Sequence, residues 1–589
     1  MAKSKLFRSL CDRRGWTDGF LETLDTYDGT PILGIDRCAD RVARAVAGRE
    51  KICLFCDFDT DGLSSLMVLA ASLSAMGADI GIYLPDPAAG YGISVDQVAE
   101  LLELHPTTAL ILTADVGISA DDAWAYAHNR GVDVVVTDHH QKDSEVRSAD
   151  AWADPSLPED PYPHTVCGAE VASQLMGEVA SLLRVDVAVA QKVDAARAIA
   201  GLGARGDMMP ALGPSRASVK RAVDLLHLIC LSDESMVSDG GMWGAVMLGL
   251  RSLVRRNLEY ANDGSPKRSP DPVDRVDEHF LDMRVSPQLN SIRRTGSGLD
   301  FFWALMTAPT EDARSEAAGE LVALNERRKV AVEEAMEALL AAEQPLAPWV
   351  FCDTAGLVRP SFAGLVANRL MEATGSPCLV LVDGGNGTWS GSGRCPMGAD
   401  LRGRLVSAGI AAAGHGPAFG ASVPEESLGL AASIAAAMDK ELREFAGETD
   451  PASAIDWLVA PGRSVGTVVG DDYLFEVQGY LRAVSRMAPF GPGLARPQGA
   501  LFFLSGEEDE VKTMGKDKDH VKWVFNGIEA IAWRAADVLS EIGPGTPVCV
   551  VGEASVNTFL GRRSAQVTGA IVLTGDDALA VASSFSLEP

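Results

Sequence analysis

The chain has 589 residues, of which 47% are hydrophobic and 22% are charged. This length and composition exclude an intrinsically disordered protein and predict about three or four domains with buried cores. The formal net charge of -30 at pH 7 excludes a surface that is cationic overall, although a local basic groove on an acidic body is compatible with it.

The sequence gives no sign of a membrane protein or of a disulfide-stabilised one. No stretch resembles a signal peptide, and no apolar run reaches the roughly 18 residues of a membrane span. The ten cysteines are scattered without the spacing of a disulfide framework. Cys53 and Cys56 form a C-x-x-C, but they lie in an apolar strand, where burial is favoured over a zinc site. We therefore expect a cytoplasmic protein without a membrane segment.

Apolar strands alternate with amphipathic helices in the first quarter of the chain. The patterns predict strands at 52–56, 79–84, 109–114 and 132–137, and helices near 62–77, 94–104 and 119–130. This alternation is typical of a doubly wound α/β domain with a parallel sheet.

Three of these strands run directly into acidic residues. The first leads to Asp57, Asp59 and Asp61, the second to Asp115, and the third to Asp138-His139-His140. Ligands of an open α/β sheet bind beyond the carboxyl ends of its strands, so these side chains should converge. Crowded carboxylates repel one another unless cations neutralise them, and carboxylates with imidazoles suit Mn²⁺ or Mg²⁺. The pattern predicts a two-metal hydrolase of phosphate esters.

The spacing leaves some individual roles open. Asp57 and Asp59 can each present an oxygen to a cation, whereas Asp61 either ligates directly or orients a neighbour. Asp115 can bridge both ions. Successive side chains of an extended segment point to opposite sides, so one histidine is expected to bind metal while the other faces the substrate.

The remainder of the chain predicts further units. Residues 186–256 are mainly helical in pattern, and 257–285 are charged and rich in glycine and proline, which indicates a loop or insertion. Thr310 can cap a helix that runs to Pro345. Residues 349–445 again mix strands and helices. Short strands at 500–504, 521–525, 528–533, 547–552 and 564–572 then predict a small β-barrel.

The sequence resembles the DHH phosphoesterase superfamily, which is named for the Asp-His-His triplet found here at 138–140. Within that superfamily it resembles the RecJ single-strand exonucleases. Residues 162–172 are similar to the family's Y-P…LAGVGVA segment. Residues 202–210 are similar to LGTVADVVP, which implies that Asp207 is a further metal ligand. Residues 289–294 are similar to R-I-N-A-A-G-R. The resemblance runs from about residue 30 to 575 and implies that Asn290 and Arg294 contact the substrate.

The second lobe and the C-terminal unit carry further segments of this family. Gly391-Ser392-Gly393-Arg394 and residues 413–420 resemble the GSGR and GGHxxAAG segments of the DHH-associated domain. They imply a phosphate-binding surface that comprises Arg369, Ser392, Gly393, Arg394, Gly414 and His415. The C-terminal motifs resemble the RecJ OB-fold, with Lys516, Lys518, Lys522, Arg562 and Arg563 as candidate strand contacts. The interleaved aromatics Trp523, Phe525 and Phe559 fit the barrel core better than stacking platforms.

Several positions depart from the family pattern without removing a proposed ligand. They are Asp154, Arg205-Gly206, Gln288, Ala413 and Phe419. Gln288 lacks the charge of the family's arginine, and Phe419 alters the shape of the nucleotide pocket, so we expect effects on rate and on substrate length.

The expected fold is α/β with four parts. A DHH-type parallel-sheet domain spans 1–300, with a helical part and the charged insertion near 257–285, and a connecting helix spans 310–345. A smaller DHH-associated substrate-binding domain spans 346–446, and a single-strand-binding OB-fold barrel spans 452–589.

The expected activity is hydrolysis of single-stranded DNA to mononucleotides by an exonuclease with two divalent ions. The resemblance implies 5′ to 3′ polarity and Mn²⁺ preferred over Mg²⁺. We expect a monomer that binds single-stranded DNA, has no membrane partner and is recruited by a helicase or a single-strand-binding protein. Two alternatives stay open: a DHH phosphodiesterase of short oligonucleotides or cyclic dinucleotides, and a catalytically silent single-strand-binding replication scaffold.

Overall fold

The structure is a computed structural model. It describes residues 4–26, 29–87, 92–141, 148–238, 240–342, 345–346, 349–385, 387–396, 398–415, 417–446, 451–463, 469, 473–515, 518–525, 527–559 and 562–587. The chain forms two compact units, one of Tyr27–Phe445 and one of Met1–Thr26 with Ala446–Pro589. The N-terminal helices α1 (Lys5–Arg14) and α2 (Asp18–Thr23) therefore belong to the second unit.

The larger unit opens with a five-stranded sheet whose strands are all parallel. The strands are β1 (Lys51–Cys56), β2 (Asp79–Tyr83), β3 (Thr108–Ala114), β4 (Asp133–Thr137) and β5 (Ala151–Ala153), in the order β2-β1-β3-β4-β5. Each predicted strand is present within one residue at either end. Because β2 and β3 flank β1, the chain leaves the ends of β1 and β3 toward different sides, and this opens a crevice there.

Both faces of this sheet are buried, which explains the nearly continuous apolar runs of its strands. Helices α3 (Ile35–Gly48) and α4 (Thr60–Ala75) cover one face, where Ile52 and Leu54 point. Helices α5 (Val95–Leu104) and α6 (Asp121–His128) cover the other, where Phe55 points. Cys53 and Cys56 are buried in opposite cores, as predicted for cysteines of an apolar strand.

A helical region completes the first lobe. Its helices are α7 (Gly168–Leu183), α8 (Val187–Ala198), α9 (Ala200–Gly206), α10 (Gly213–Leu231), α11 (Glu234–Val237), α12 (Met242–Glu259), α13 (Glu278–Phe280), α14 (Ser286–Thr295) and α15 (Leu299–Thr307). A π-helical turn over Leu281–Val285 joins α13 to α14. The long helix predicted after Thr310 is α16 (Glu311–Ala342), and the Thr310 hydroxyl accepts a hydrogen bond from the Ala313 amide at 3.3 Å.

The prediction of a loop or insertion at 257–285 is wrong for its last third. The glycines and prolines of the segment lie in irregular structure, but Val276, Phe280, Leu281 and Val285 are buried in the core of the first lobe. These apolar residues follow the last proline, so the turn signal ends before the segment does. The segment is anchored through its C-terminal end.

The second lobe contains a mixed five-stranded sheet. Its strands are β6 (Val350–Asp353), β7 (Cys378–Asp383), β8 (Thr388–Arg394), β9 (Ala411–His415) and β10 (Ala418–Pro424), in the order β6-β7-β8-β10-β9. Only the β6 and β7 pair is parallel within this sheet. Helices α17 (Ala363–Thr374), α18 (Leu401–Ser407) and α19 (Leu428–Ala446) accompany it.

The smaller unit contains a seven-stranded sheet. Its strands are β11 (Trp457–Val459), β12 (Gly499–Leu504), β13 (Glu510–Met514), β14 (His520–Phe525), β15 (Ile528–Ala532), β16 (Pro547–Phe559) and β17 (Arg562–Thr574), in the order β11-β12-β16-β17-β15-β14-β13. Helices α20 (Tyr473–Val484), α21 (Val538–Glu541) and α22 (Gly575–Ser584) complete it. The five strands predicted after residue 499 are all present.

Assignment of the first 26 residues to the DHH domain is corrected by the structure, because α1 packs within the smaller unit. Arg14 donates two hydrogen bonds to the Asp456 carboxylate, from Nε at 2.6 Å and from Nη2 at 2.8 Å. The Ser9 hydroxyl donates to the Asp456 carbonyl at 2.8 Å, and Leu6 and Leu10 are fully buried. The partners are more than 440 residues apart, so no local pattern reports them.

None of the helices described here combines the length and the hydrophobicity that crossing a lipid bilayer requires.

Arg14→Ala should lower the free energy of unfolding of the smaller unit by about 2 kcal/mol, because the buried Asp456 carboxylate loses a charged donor. Scanning calorimetry measures the change in the transition of this unit. Arg8→Ala, at an exposed position of the same helix, is the matched control. Equal transitions for the two variants would contradict the anchoring role of Arg14.

Candidate metal and phosphate site

Three aspartates lie directly beyond the carboxyl ends of β1, β3 and β4. Asp57, Asp115 and Asp138 are all buried, with at most 4% of each residue exposed. Asp115 has a left-handed backbone with φ of 64°, which is uncommon for a residue other than glycine, and its amide donates to the Thr137 carbonyl at 3.0 Å. The ends of β3 and β4 are thereby tied together, and the Asp115 carboxylate is fixed in the crevice.

Asp59 caps the helix that leaves β1. Its Oδ1 accepts hydrogen bonds from the amides of Asp61 at 3.0 Å and Gly62 at 3.1 Å, at the N-terminus of α4. A Cβ at Gly62 would lie 2.2 Å from the Asp57 carbonyl oxygen, so only glycine permits this tight turn. The D-x-D-x-D-G pattern is therefore a strand end joined to a helix cap.

Asp61 is fully buried, and its carboxylate is held by the first turn of another helix. Its Oδ2 accepts from the Gly168 amide at 2.6 Å and its Oδ1 from the Ala169 amide at 3.0 Å. A helix N-terminus attracts a carboxylate, so the first turn of α7 fixes the position of this side chain. Its Oδ2 also lies 3.6 Å from His139 Nε2, so Asp61 is placed to orient that imidazole, and direct ligation of a metal by Asp61 stays a prediction.

The two histidines differ in their surroundings. His139 Nε2 lies 3.0 Å from Asp115 Oδ1 and 3.4 Å from Asp207 Oδ2, and its side chain is nearly buried. His140 is more exposed, and its Nδ1 lies 2.8 Å from Asp138 Oδ1. Asp138 Oδ2 accepts from the Ile118 amide at 3.0 Å. Asp138 therefore orients the His140 ring. The predicted role of Asp138 as a metal ligand stays a prediction.

Three overlapping groups of these side chains can hold metal ions. Within each group one ligand atom per residue lies within 4.8 Å of the others. The groups are Asp115 with His139 and His140, Asp61 with His139 and Asp207, and Asp57 with Asp59 and Asp115. Six carboxylate and imidazole residues predicted from the strand ends, together with Asp207, are thus brought to one place. The donor set is oxygen-rich with two imidazoles, which suits Mn²⁺ or Mg²⁺.

The electrostatics of the cluster also fit bound cations. Burial, and then the charge of Asp61, raise the pKa of Asp115 and of Asp207 well above the usual value. Burial and the charge of Asp59 raise the pKa of Asp57 to about 7. Burial lowers the pKa of His139, whereas the hydrogen bond and charge of Asp138 outweigh burial and raise that of His140 to about 9. Divalent cations would offset both the burial and the mutual repulsion that raise these carboxyl pKa values.

The sequence analysis did not select Arg293, which reaches this cluster. Its Nη1 donates to Asp57 Oδ2 at 2.9 Å and to Asp59 Oδ2 at 2.5 Å. Arg293 lies three residues after Asn290, whose Oδ1 accepts from the Thr60 amide at 3.0 Å. Residues three apart share a helix face, so the selection of Asn290 could have indicated Arg293.

A cavity of about 950 Å³ opens beside the cluster, between the two lobes of the larger unit. The first lobe lines it with His139, His140 and Asp207, and the second with Arg402 and Gly414. Arg402 is a further residue that was not predicted from the sequence. Its Nε is buried without a hydrogen-bond partner among the residues that the structure describes. The cavity thus has an acidic wall and a wall with an available guanidinium.

The predicted phosphate-binding residues differ in their surroundings. Arg294 lines a second cavity of about 270 Å³ with Asn290, and burial with the charges of Arg293 and Arg394 lowers its pKa to about 10. Burial lowers the pKa of Arg394, whose Nη1 donates to the Gly393 carbonyl at 2.7 Å. A Cβ at Gly364 would lie 2.8 Å from Arg394 Nη2 and 3.2 Å from Ser392 Oγ, so these two side chains share one surface.

Arg369 and His415 complete the phosphate set. Arg369 forms an ion pair with Glu333, so its charge is already neutralised. His415 ends β9, where it pairs with Ala418 of β10, but its side chain lies outside the described residues.

The predicted strand contacts of the smaller unit are only partly described. Lys516 and the side chains of Arg562 and Arg563 lie outside the described residues. Lys518 is exposed, whereas Lys522 Nζ pairs with Glu529 Oε1 at 2.8 Å.

Two of the interleaved aromatics belong to the core of the smaller unit. Trp523 and Phe525 are buried, while the side chain of Phe559 is not described. Trp533, which the sequence analysis missed, is 43% exposed directly after β15, and its ring lies 4.8 Å from that of His520.

Comparison with known proteins agrees with this architecture. The model of the DHH family, N-terminal domain, matches residues 51–203, and that of the RecJ OB domain matches residues 478–569. The chain thus carries a DHH-family N-terminal domain and a RecJ OB domain. The predicted DHH-type sheet and OB-fold are confirmed.

Two curated relatives are named single-stranded-DNA-specific exonuclease RecJ. That of Bacillus subtilis is 25% identical over 585 residues, which cover 95% of this chain and 67% of the relative. That of Thermus thermophilus is 26% identical over 513 residues, which cover 86% and 67%. The chain thus spans about two thirds of the length of these relatives.

The crystal structure of RecJ in complex with Mn²⁺ from Thermus thermophilus has the same fold. It matches with a TM-score of 0.69 and 22% identity, over 97% of this chain and 76% of that one. A structure of the same protein in complex with Mg²⁺ matches with a TM-score of 0.65.

Asp57→Asn should change the pH dependence of stability in the metal-free protein. A carboxyl whose pKa rises on folding from 3.8 to about 7 contributes stability that is present below the lower value and is lost as the pH rises through the higher one. Asparagine does not titrate, so the wild type should lose stability relative to the variant between these values.

Urea midpoints with a chelator, at about pH 5 and about pH 8, measure this difference. Asp312→Asn, an exposed acid at the start of α16, controls for the loss of one carboxylate. Parallel pH curves for the wild type and Asp57→Asn would contradict the elevated pKa.

Proposed function

We propose that the chain is a divalent-metal-dependent exonuclease that hydrolyses single-stranded DNA to mononucleotides. The observation that carries the proposal is the convergence of Asp57, Asp115 and His139 with further carboxylates at the crevice beyond the parallel sheet. Arg402 lines the opposite wall of the cavity beside them. A phosphodiester strand is the substrate class that would use both the cation ligands and the guanidinium. The RecJ relatives, whose names state this activity, support the same conclusion.

Seven residues would hold two cations, with Mn²⁺ preferred and Mg²⁺ possible. They are Asp57, Asp59, Asp61, Asp115, His139, His140 and Asp207. When bound, the two cations would supply an activated water and would neutralise charge on the phosphodiester. The protein fixes these ligands before substrate arrives: α4 and α7 hold Asp59 and Asp61, and Asp138 holds His140.

The guanidinium groups of the second lobe would position the strand. Arg394 and Ser392 share one surface and suit a phosphate, because guanidinium can donate two parallel hydrogen bonds to phosphate oxygens. Arg402 would contact a phosphate from the far wall of the larger cavity. Asn290 and Arg294 would follow the backbone along the smaller cavity. Such contacts orient the scissile ester relative to the acidic cluster.

The smaller unit would bind the strand through its OB-fold. Lys518 and the exposed ring of Trp533 offer a charge and a stacking face, the two elements by which OB-folds hold single strands. A phosphodiesterase of very short oligonucleotides needs no such unit. A silent scaffold needs no complete acidic cluster. Both alternatives are therefore less well supported than the exonuclease.

The proposed 5′ to 3′ polarity rests on the RecJ resemblance, and the proposed recruitment by a partner rests on charge. The net charge of -30 supports recruitment by a helicase or a single-strand-binding protein, because the body itself repels DNA. A monomeric state and a cytoplasmic location stay predictions.

A single-stranded 40-mer labelled at either end tests the proposal. With Mn²⁺, we expect a 5′ label to appear at once as a mononucleotide, a 3′ label to shorten progressively, and a chelator to stop both. Asp115→Asn should lower kcat by about a thousandfold or more while strand binding, measured by fluorescence anisotropy, changes little.

His128→Ala is the matched control, since this histidine pairs with Asp150 away from the cluster and should leave turnover unchanged. Turnover of Asp115→Asn close to that of wild type would contradict the site. Cleavage of a dinucleotide but not of the 40-mer would favour the short-oligonucleotide alternative.

A further inference from the structure

Arg293 places a fixed positive charge inside the acidic cluster. One nitrogen, Nη1, serves two carboxylates, at 2.9 Å from Asp57 Oδ2 and 2.5 Å from Asp59 Oδ2. Burial raises the pKa of Asp59, but the charge and hydrogen bond of Arg293, together with the amides of Gly62 and Asp61, outweigh burial and lower it. The protein itself therefore neutralises part of this pair.

Both oxygens of Asp59 are already engaged by protein donors. Oδ1 accepts from two amides at the start of α4, and Oδ2 accepts from Arg293. The Oδ1 bonds belong to the helix cap and are lost only if α4 frays. A divalent cation that takes up Asp59 therefore approaches on the side of Oδ2, where the guanidinium stands, and two cations at such short range repel each other.

The helix that carries Arg293 is held independently of these ion pairs. Asn290 Oδ1 accepts from the Thr60 amide at 3.0 Å, and the Thr60 hydroxyl donates to the Ser286 carbonyl at 2.9 Å. Helices α14 and α4 thus stay joined whether or not Arg293 contacts the carboxylates. The arginine side chain can leave the cluster without moving the helix.

Arg293 acts more strongly on one candidate group than on the other two. Its ion pairs, at 2.9 Å and 2.5 Å, are with Asp57 and Asp59, and its charge acts on these two carboxylates ahead of Asp115. The other two groups are Asp61 with His139 and Asp207, and Asp115 with His139 and His140. The positions for two cations are therefore unequal, because one shares its ligands with a guanidinium that is hydrogen-bonded to them and the other is affected less by that charge.

We propose that Arg293 competes with a divalent cation for Asp57 and Asp59, so that the cluster loads its two cations in order, and that a substrate phosphate assists the second loading by offering Arg293 another partner. This inference rests on the proposed metal-dependent function and adds how the site is regulated. Occupancy of the complete cluster is then coupled to the presence of a strand.

Titration of the full-length protein with Mn²⁺, followed by calorimetry and by the electron paramagnetic resonance of free Mn²⁺, tests the competition without measuring activity. The wild type should bind one ion tightly and a second more weakly. Arg293→Gln should tighten the weaker site about tenfold or more and leave the tight site unchanged. Arg293→Lys, which keeps the charge, should retain the weak site.

Arg284→Gln is the matched control, because it removes the same charge from the π-helical turn that precedes α14, where the guanidinium donates to the Asn262 side chain instead of the carboxylates. Its Mn²⁺ affinities should stay within about threefold of wild type. Circular dichroism establishes that each variant folds.

A single strand with phosphorothioate linkages tests the second half of the proposal. It should tighten the second Mn²⁺ site about tenfold more in the wild type than in Arg293→Gln, where the competitor is gone. Two Mn²⁺ ions with the same affinities in wild type and Arg293→Gln would overturn the role of Arg293 and leave the metal-dependent function standing. Absence of Mn²⁺ binding in every variant would overturn both.

Discussion

Repulsion among buried carboxylates is the constraint around which the larger unit is organised. Parallel strands deliver Asp57, Asp115 and Asp138 to one crevice with almost no exposure to water, where unscreened like charges oppose folding. Part of this repulsion is offset by hydrogen bonds from backbone amides at the starts of α4 and α7, by His139 and His140, and by the charge of Arg293. Burial and the charges of neighbouring carboxylates still raise the pKa of Asp57, Asp115 and Asp207, and bound cations would stabilise the ionised carboxylates.

Guanidinium groups lie near the acidic cluster and carry the opposite charge. Burial lowers the pKa of Arg294 and Arg394, and the Arg402 Nε is buried without a partner among the described residues. Guanidinium groups held in this way are receptive to an anion. Arg369 is the exception, since Glu333 already neutralises it. A strand that enters the larger cavity would meet the Arg402 guanidinium on one wall and the acidic cluster on the other, and Arg294 would lie in the smaller cavity.

Much of this arrangement is predictable from sequence because parallel strands end at one edge of a sheet. The run from Ile52 to Cys56 fixes where Asp57 lies, and the same reasoning places Asp115 and the 138–140 triplet. The side chains that the helices contribute are harder to predict from sequence. Arg293 and Arg402 depend on how α14 and α18 pack, and the attachment of α1 to Asp456 joins segments from opposite ends of the chain. The role of Asp61 needed α7, whose amides arrive from 107 residues later. Local periodicity carries none of this information.

The central claim is that the acidic crevice binds a pair of divalent ions, and anomalous diffraction from crystals soaked in Mn²⁺ tests it most directly. We expect two anomalous peaks about 4 Å apart, within bonding distance of Asp115 and of the surrounding carboxylates and imidazoles. Peaks confined to surface acids, or no peak among Asp57, Asp61, Asp115 and His139 at saturating Mn²⁺, would contradict the account.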